Sequence, residues 1–132
     1  MYETREVQFR LDLDLKSKAR PRFARGRAYM DTSYQVWQRC CRRLLKMIWD
    51  TNDLGVLDNC EIHVEAHGPG RADPDNLIGA LLDAMQPHPK SGWEGVIKDD
   101  RVTVVPVISF RWIRDKNQFW DITLRTRVEV SG

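Results

Sequence analysis

The sequence predicts a single α/β domain of α+β character, with a mixed β-sheet packed against two main helices in the order β-α-β-α-β-β. Three observations carry this. Several stretches alternate apolar and polar residues with a period of two, the mark of a half-buried strand. Two stretches repeat their apolar residues at three- and four-residue steps, the mark of an amphipathic helix. A chain of 132 residues, 42% of them apolar, holds one core and has no room for two, so residues 1–132 are read as one domain.

The first strand is predicted where Val7, Phe9, Leu11, Leu13 and Leu15 alternate with Glu6, Gln8, Arg10, Asp12 and Asp14. From Lys16 to Arg27 there follow six Lys or Arg and no acid. Pro21 and Gly26 break regular structure there, so a loop or a loosely paired ribbon is expected. Net charge is only +2, so this clustering, and not the total, creates a local positive field. Lys18, Arg20, Arg22, Arg25 and Arg27 are candidate phosphate contacts, because guanidinium forks take phosphate oxygens in pairs. Phe23 and Tyr29 could stack on bases. A solvated turn explains the same run without function.

A helix is predicted from a cap at Asp31, Thr32 or Ser33, with Trp37, Cys40, Cys41, Leu44, Leu45 and Ile48 on its apolar face. Arg39, Arg42, Arg43 and Lys46 form a basic stripe on another face. Gly55 offers a left-handed end near residue 52. Cys60, Ile62, Val64 and Ala66 then alternate with Glu61, His63, Glu65 and His67, a second strand with a Glu-His-Glu-His polar face. His67 is the best accessory candidate on it, since it leads through Gly68-Pro69-Gly70 towards Asp73.

The second helix follows, with Leu77, Ala80, Leu81, Ala84 and Met85 as its buried face and Pro87 and Pro89 as its stop. A third strand is expected over residues 102–110, where Pro106 suggests an edge or bulge. A fourth is expected where Ile122, Leu124, Thr126, Val128 and Val130 alternate with polar residues. The short turn Arg114–Gln118 predicts that these last two strands form a hairpin.

Asp73-Pro74-Asp75 opens the second helix, and two readings fit it. Asp73 as N-cap, Pro74 as first helical residue and Asp75 in the first turn suit the helix dipole with no function at all. Alternatively, a residue before proline is pushed to extended backbone, so Asp73 can project its carboxylate beside that of Asp75. A third carboxylate from Asp99-Asp100 would complete an oxygen-rich cluster, which a divalent cation such as Mg²⁺ or Mn²⁺ would neutralise.

Asp73-x-Asp75-Asn76-Leu77, then Asp83-Ala84-Met85, then Gly95-x-x-x-Asp99-Asp100 running into Val102, resembles the RusA-type Holliday junction resolvases. Ala19-Arg20-Pro21-Arg22-Phe23 followed by Tyr29 is similar to the N-terminal segment of phage and prophage members. The resemblance covers about residues 18–105. It implies a homodimeric, Mg²⁺-dependent endonuclease, with Mn²⁺ able to substitute, that binds four-way DNA junctions in recombination and repair and cuts opposed strands. Catalysis and metal binding would fall to Asp73, Asp75 and Asp100, with Asn76 and Asp99 as accessory residues. The family pattern has a lysine one turn after the second aspartate, where this chain has Gly79. Lys98 or Arg71 could supply that cation, Arg71 also being a candidate DNA contact. Otherwise the chain would bind branched DNA with weak or no cleavage.

Met1–Glu6 lacks the apolar run of a signal peptide, and no segment approaches the roughly 20 apolar residues that span a bilayer. The three cysteines have neither disulfide-framework nor zinc-site spacing, so they are read as small core residues in a reduced, cytoplasmic setting, with no membrane partner.

Overall fold

In a computed structural model the chain is described over residues 1–19 and 21–131. The fold is mixed α/β as expected. Strand β1 (Tyr2–Leu11) leads through an extended segment to a ribbon of β2 (Arg22–Ala24) and β3 (Arg27–Tyr29). Helix α1 (Thr32–Trp49), strand β4 (Glu61–Gly68), helix α2 (Pro74–Met85), and strands β5 (Val107–Arg114) and β6 (Phe119–Glu129) complete it. The main sheet has the order β1-β6-β4-β5, with β4 and β5 parallel and the other pairs antiparallel.

The predicted hairpin of the last two strands is not formed. β4 lies between β5 and β6, and the link 115–118 crosses over the end of β4. Spanning two strand spacings needs roughly 10 Å. Four residues reach about 13 Å, so loop length alone does not separate a hairpin from a split pair. The third strand also starts later than expected. Residues 101–104 form a turn in which Val104 and Val105 amides bond the Arg101 carbonyl, and the strand begins only after Pro106. Pro106 thus borders an edge strand.

One face of the sheet is apolar and the other is open. Leu11, Trp120 and Ala66 share a cross-strand row, as do Phe9, Ile122 and Val64. Both helices add their buried residues to this core. On α1 these are Tyr34, Trp37, Gln38, Cys41, Leu45 and Trp49, at the expected helical steps. Cys41 and Cys60 are buried, and burial pushes both thiols up to about 12. Cys40 is exposed, in contrast to the expectation of a core residue. The helix is capped by Asp31, whose side chain accepts from the Tyr34 amide. It ends at Trp49, before Gly55; Gly55 is left-handed but serves the following loop, where its carbonyl accepts from the Trp49 indole at 2.6 Å.

The indoles of Trp37 and Trp120 both donate to the Asp14 carbonyl, at 2.9 and 3.3 Å. They pin the extended segment after β1 against the core. That segment delivers Lys18 to α2, where its amide donates to the Asn76 carbonyl at 2.8 Å.

Candidate functional site

Proline at the first position of α2 forces the preceding residue out of helical backbone. Asp73 is accordingly extended, with φ −79° and ψ 145°, and its side chain makes no capping hydrogen bond. Its carboxylate is therefore not consumed by the helix. Asp73 and Asp75 are both exposed, at the positive end of the helix dipole. The loop before them is tightly seated. The Trp112 indole donates to the Gly68 carbonyl at 3.1 Å, and a Cβ on Gly70 would lie 2.9 Å from the Trp112 ring.

One turn along α2 the structure supplies a cation from elsewhere in the chain. The Lys18 side chain lies across Gly79, its Cδ 3.1 Å from where a Cβ would stand. Its ammonium reaches Asp83 Oδ1 at 3.3 Å. Residues 75, 79 and 83 share a helix face, so the Lys18 side chain lies along the same strip of α2 as Asp75 and Asp83. Asp83 is held from its other oxygen by the Tyr34 hydroxyl at 2.8 Å. Burial, and then Asp83, push the Tyr34 phenol well above its ordinary value. The buried Gln38 amide donates to Tyr34 Oη at 3.0 Å and to the Ala80 carbonyl at 2.8 Å, tying α1 to α2 beneath this strip.

The two cations considered from sequence stand differently. Lys98 lies 4.0 Å from Asp58, and Arg71 is exposed beside the Asp73 loop. The sequence itself marks Lys18 only as a candidate phosphate contact. The signal that could have found its second role is small: a glycine inside a helix leaves room for a visitor.

Asp99 and Asp100 do not join Asp73 and Asp75 within one chain. Val96 and Ile97 amides bond the carbonyl of Met85, the last residue of α2, and the Lys98 amide bonds the Leu57 carbonyl. The Asp-Asp pair thus follows the C-terminal end of α2, while Asp73 and Asp75 stand at its N-terminus. Twelve helical residues separate these ends by about 18 Å. Partial burial opposes ionisation of Asp99, but contacts with Asp100 and the Arg101 guanidinium and amide hold it below the usual carboxylate range.

Among the described residues, the compact group of potential metal ligands is Glu65, His67 and Asp121, with ligand atoms within 4.8 Å of one another. Glu65 and His67 sit two residues apart on the open face of β4, and Asp121 is directly opposite Glu65 on β6. His67 Nε2 is 2.7 Å from Glu65 and 3.8 Å from Asp121, and Nδ1 is 3.3 Å from Asp115. The ring stacks on Phe119 at 4.0 Å between centroids, and Arg10 covers that ring at 3.6 Å. Asp115 is held below the usual carboxylate range, first by the Asn117 amide and then by His67, against some opposing burial. His67 therefore faces the open side of the sheet. Arg10 and Arg111 flank Glu65 and Asp121 in the same cross-strand row, so the carboxylates already stand among cations.

The basic segment forms the β2–β3 ribbon, turned at Arg25 (φ 53°) and Gly26 (φ 74°). Two successive positive φ values make the turn that suits a two-residue hairpin. Phe23 and Tyr29 are exposed on it, as are Arg25 and Arg27. Arg20 lies outside the described residues. Among the described residues, no helix is long and apolar enough to cross a membrane. Comparison with protein-family models and with curated proteins finds no match to this chain.

Proposed function

We propose that the protein is a divalent-metal-dependent endonuclease acting on branched DNA such as four-way junctions. The observation that carries this is the start of α2: Asp73 is extended and makes no capping bond, Asp75 stands two residues on, and Lys18 lies over Gly79 on the same helix face. Mg²⁺ commonly takes one or two carboxylates and fills its remaining positions with water and substrate phosphate. Asp73 and Asp75 suffice for that, Mn²⁺ being the alternative ion. The metal would supply an activated water and screen charge on the phosphate. Lys18 would hold a phosphate oxygen beside it, and the exposed ribbon with Arg25, Arg27, Phe23 and Tyr29 would bind flanking DNA.

The experiment is a junction-nicking assay in Mg²⁺ or Mn²⁺. Asp75→Asn abolishes nicking and retains binding. Asp100→Asn retains nicking if the metal sits within one chain; equal loss with Asp75→Asn would mean that Asp100 arrives from the second copy of a homodimer. Wild-type protein that binds junctions but never cuts, across metals and pH, would overturn the enzymatic reading.

That outcome defines the second reading, a branched-DNA-binding protein without cleavage. The distance of Asp100 from Asp73 and Asp75 along α2 favours it.

A further inference from the structure

Helix α1 turns its basic stripe into a groove that the site at α2 does not use. The groove encloses about 800 Å³ between α1 and the segment after α2. Arg39, Arg42, Arg43 and Lys46 line one side; His88 and Lys90 line the other. Its acid is Asp83, already engaged by Lys18 and Tyr34. Among the described residues, Arg39, Arg42, Arg43 and Lys90 make no ion pair with any acid, while Lys46 is 3.2 Å from Asp50. Burial weakens the hold of Arg42 on its proton; Cys41 opposes this, and neighbouring Arg39 adds a smaller push in the same direction as burial. Burial, then Arg42 and Lys90, press His88 towards its neutral form.

Unpaired cations facing each other across a concavity are unfavourable alone and are relieved by an anion. The row from Arg39 to Lys46 runs over seven helical steps, about 10.5 Å of helix axis. A strand of B-form DNA advances about 3.4 Å along the duplex axis per phosphate, and because the backbone winds round that axis its phosphates lie farther apart than this, so the row is long enough for about two successive phosphates. The groove also adjoins the α2 face through Asp83, one turn beyond Gly79, with Lys18 joining the two.

We propose that this groove binds the phosphodiester backbone of a DNA strand running on from the Asp73–Asp75 end of α2. The inference rests on the endonuclease reading for its ligand and extends it with a second contact surface. Guanidinium forks on α1 hold phosphate oxygens in pairs, and Lys90 and His88 close the strand from the opposite rim. Contacts of this kind position the nucleic acid and carry no base readout.

The test uses the full chain with Asp75→Asn, in EDTA, so that binding is read without cutting. Anisotropy of a labelled four-way junction and of a labelled single strand is followed across KCl concentration. Arg39→Ser with Arg43→Ser makes the log–log salt dependence shallower by about 1.8 on the duplex arms, because each phosphate contact contributes about 0.9. Lys90→Ser removes roughly one contact more. Unchanged melting temperature shows that the variants fold. An unchanged slope in folded variants overturns the groove, even if the parent chain nicks junctions. A groove-dependent slope in a chain that never nicks keeps the groove and removes the endonuclease. Absence of DNA binding at low salt, or equal competition by a polyglutamate peptide, overturns the groove as a nucleic-acid site.

Discussion

Asp115 is set first by a neighbour two residues on and then by one far away in sequence, and Gly79 by a distant one. The Asn117 amide donates to Asp115 at 3.0 Å, and His67 lies on the other side of the carboxylate. The folded value is below the unfolded one of about 3.9. Asp115 therefore contributes stability that is fully present above about pH 4 and is lost as pH falls through the folded value. In a carboxyl-carbon NMR titration, His67→Ala should raise the Asp115 midpoint only part of the way, because the larger cause, the Asn117 amide, remains. Full return to the ordinary value would show that the ranking is wrong. At Gly79 two effects oppose. Alanine improves a helix interior by roughly 0.5–1 kcal/mol, but its Cβ would press on the Lys18 stem at 3.1 Å. Urea denaturation should therefore show the full gain for Gly79→Ala in a Lys18→Ala background and a smaller one in wild type. Equal gains in both backgrounds would mean that Lys18 does not rest on this position. No periodic signal links residues 18 and 79, so this contact was not legible in the sequence, although the helix around Gly79 was.

At the scale of elements, α1 was legible because its two faces obey one spacing. Trp37, Cys41 and Leu45 enter the core, and Arg39, Arg42, Arg43 and Lys46 stay outside. The groove they line was not legible, since its opposite rim, His88 and Lys90, comes from a single short 3-10 turn with no repeating pattern in the sequence. The ends of α2 were legible in part. The sequence places Asp73 before the helix and Asp99 after it, and about 18 Å of helix between them follows from the element alone. Like charges and a family resemblance suggested a cluster instead. The segment after β1 depends on α1 through one carbonyl. Trp37→Phe removes one of the two indole donors to Asp14 and leaves that of Trp120 in place. The lost hydrogen bond costs about 1 kcal/mol in thermal or urea unfolding, and the cavity left by the smaller ring at this buried position adds to it. Hydrogen-exchange protection of the Lys18 amide isolates the segment: retained protection means that the Trp120 donor alone holds it, and lost protection means that both indoles are needed.

For the whole molecule, strand existence was readable from alternation, but strand neighbours were not. Alternation says which residues share a face and leaves the partner open. That is why β4 could enter between β5 and β6 unseen, and why Asp121 came to face Glu65. The same topology joins the two ends of the chain: Tyr2 opposes Glu129 and Leu11 opposes Trp120. Among the described residues β1 is an edge strand, paired along one side with β6. The segment it leads into carries Lys18 to α2, through the Asn76 carbonyl and the Asp83 carboxylate. Edges of sheets open locally at lower free energy than centres. A partial opening that peels β1 from β6 would withdraw Lys18 while the helices and inner strands persist. It would leave Asp73 and Asp75 without their neighbouring cation in an otherwise folded molecule. The state with Lys18 seated over Gly79 would then be a subset of the folded population, set by how often the first strand is in place.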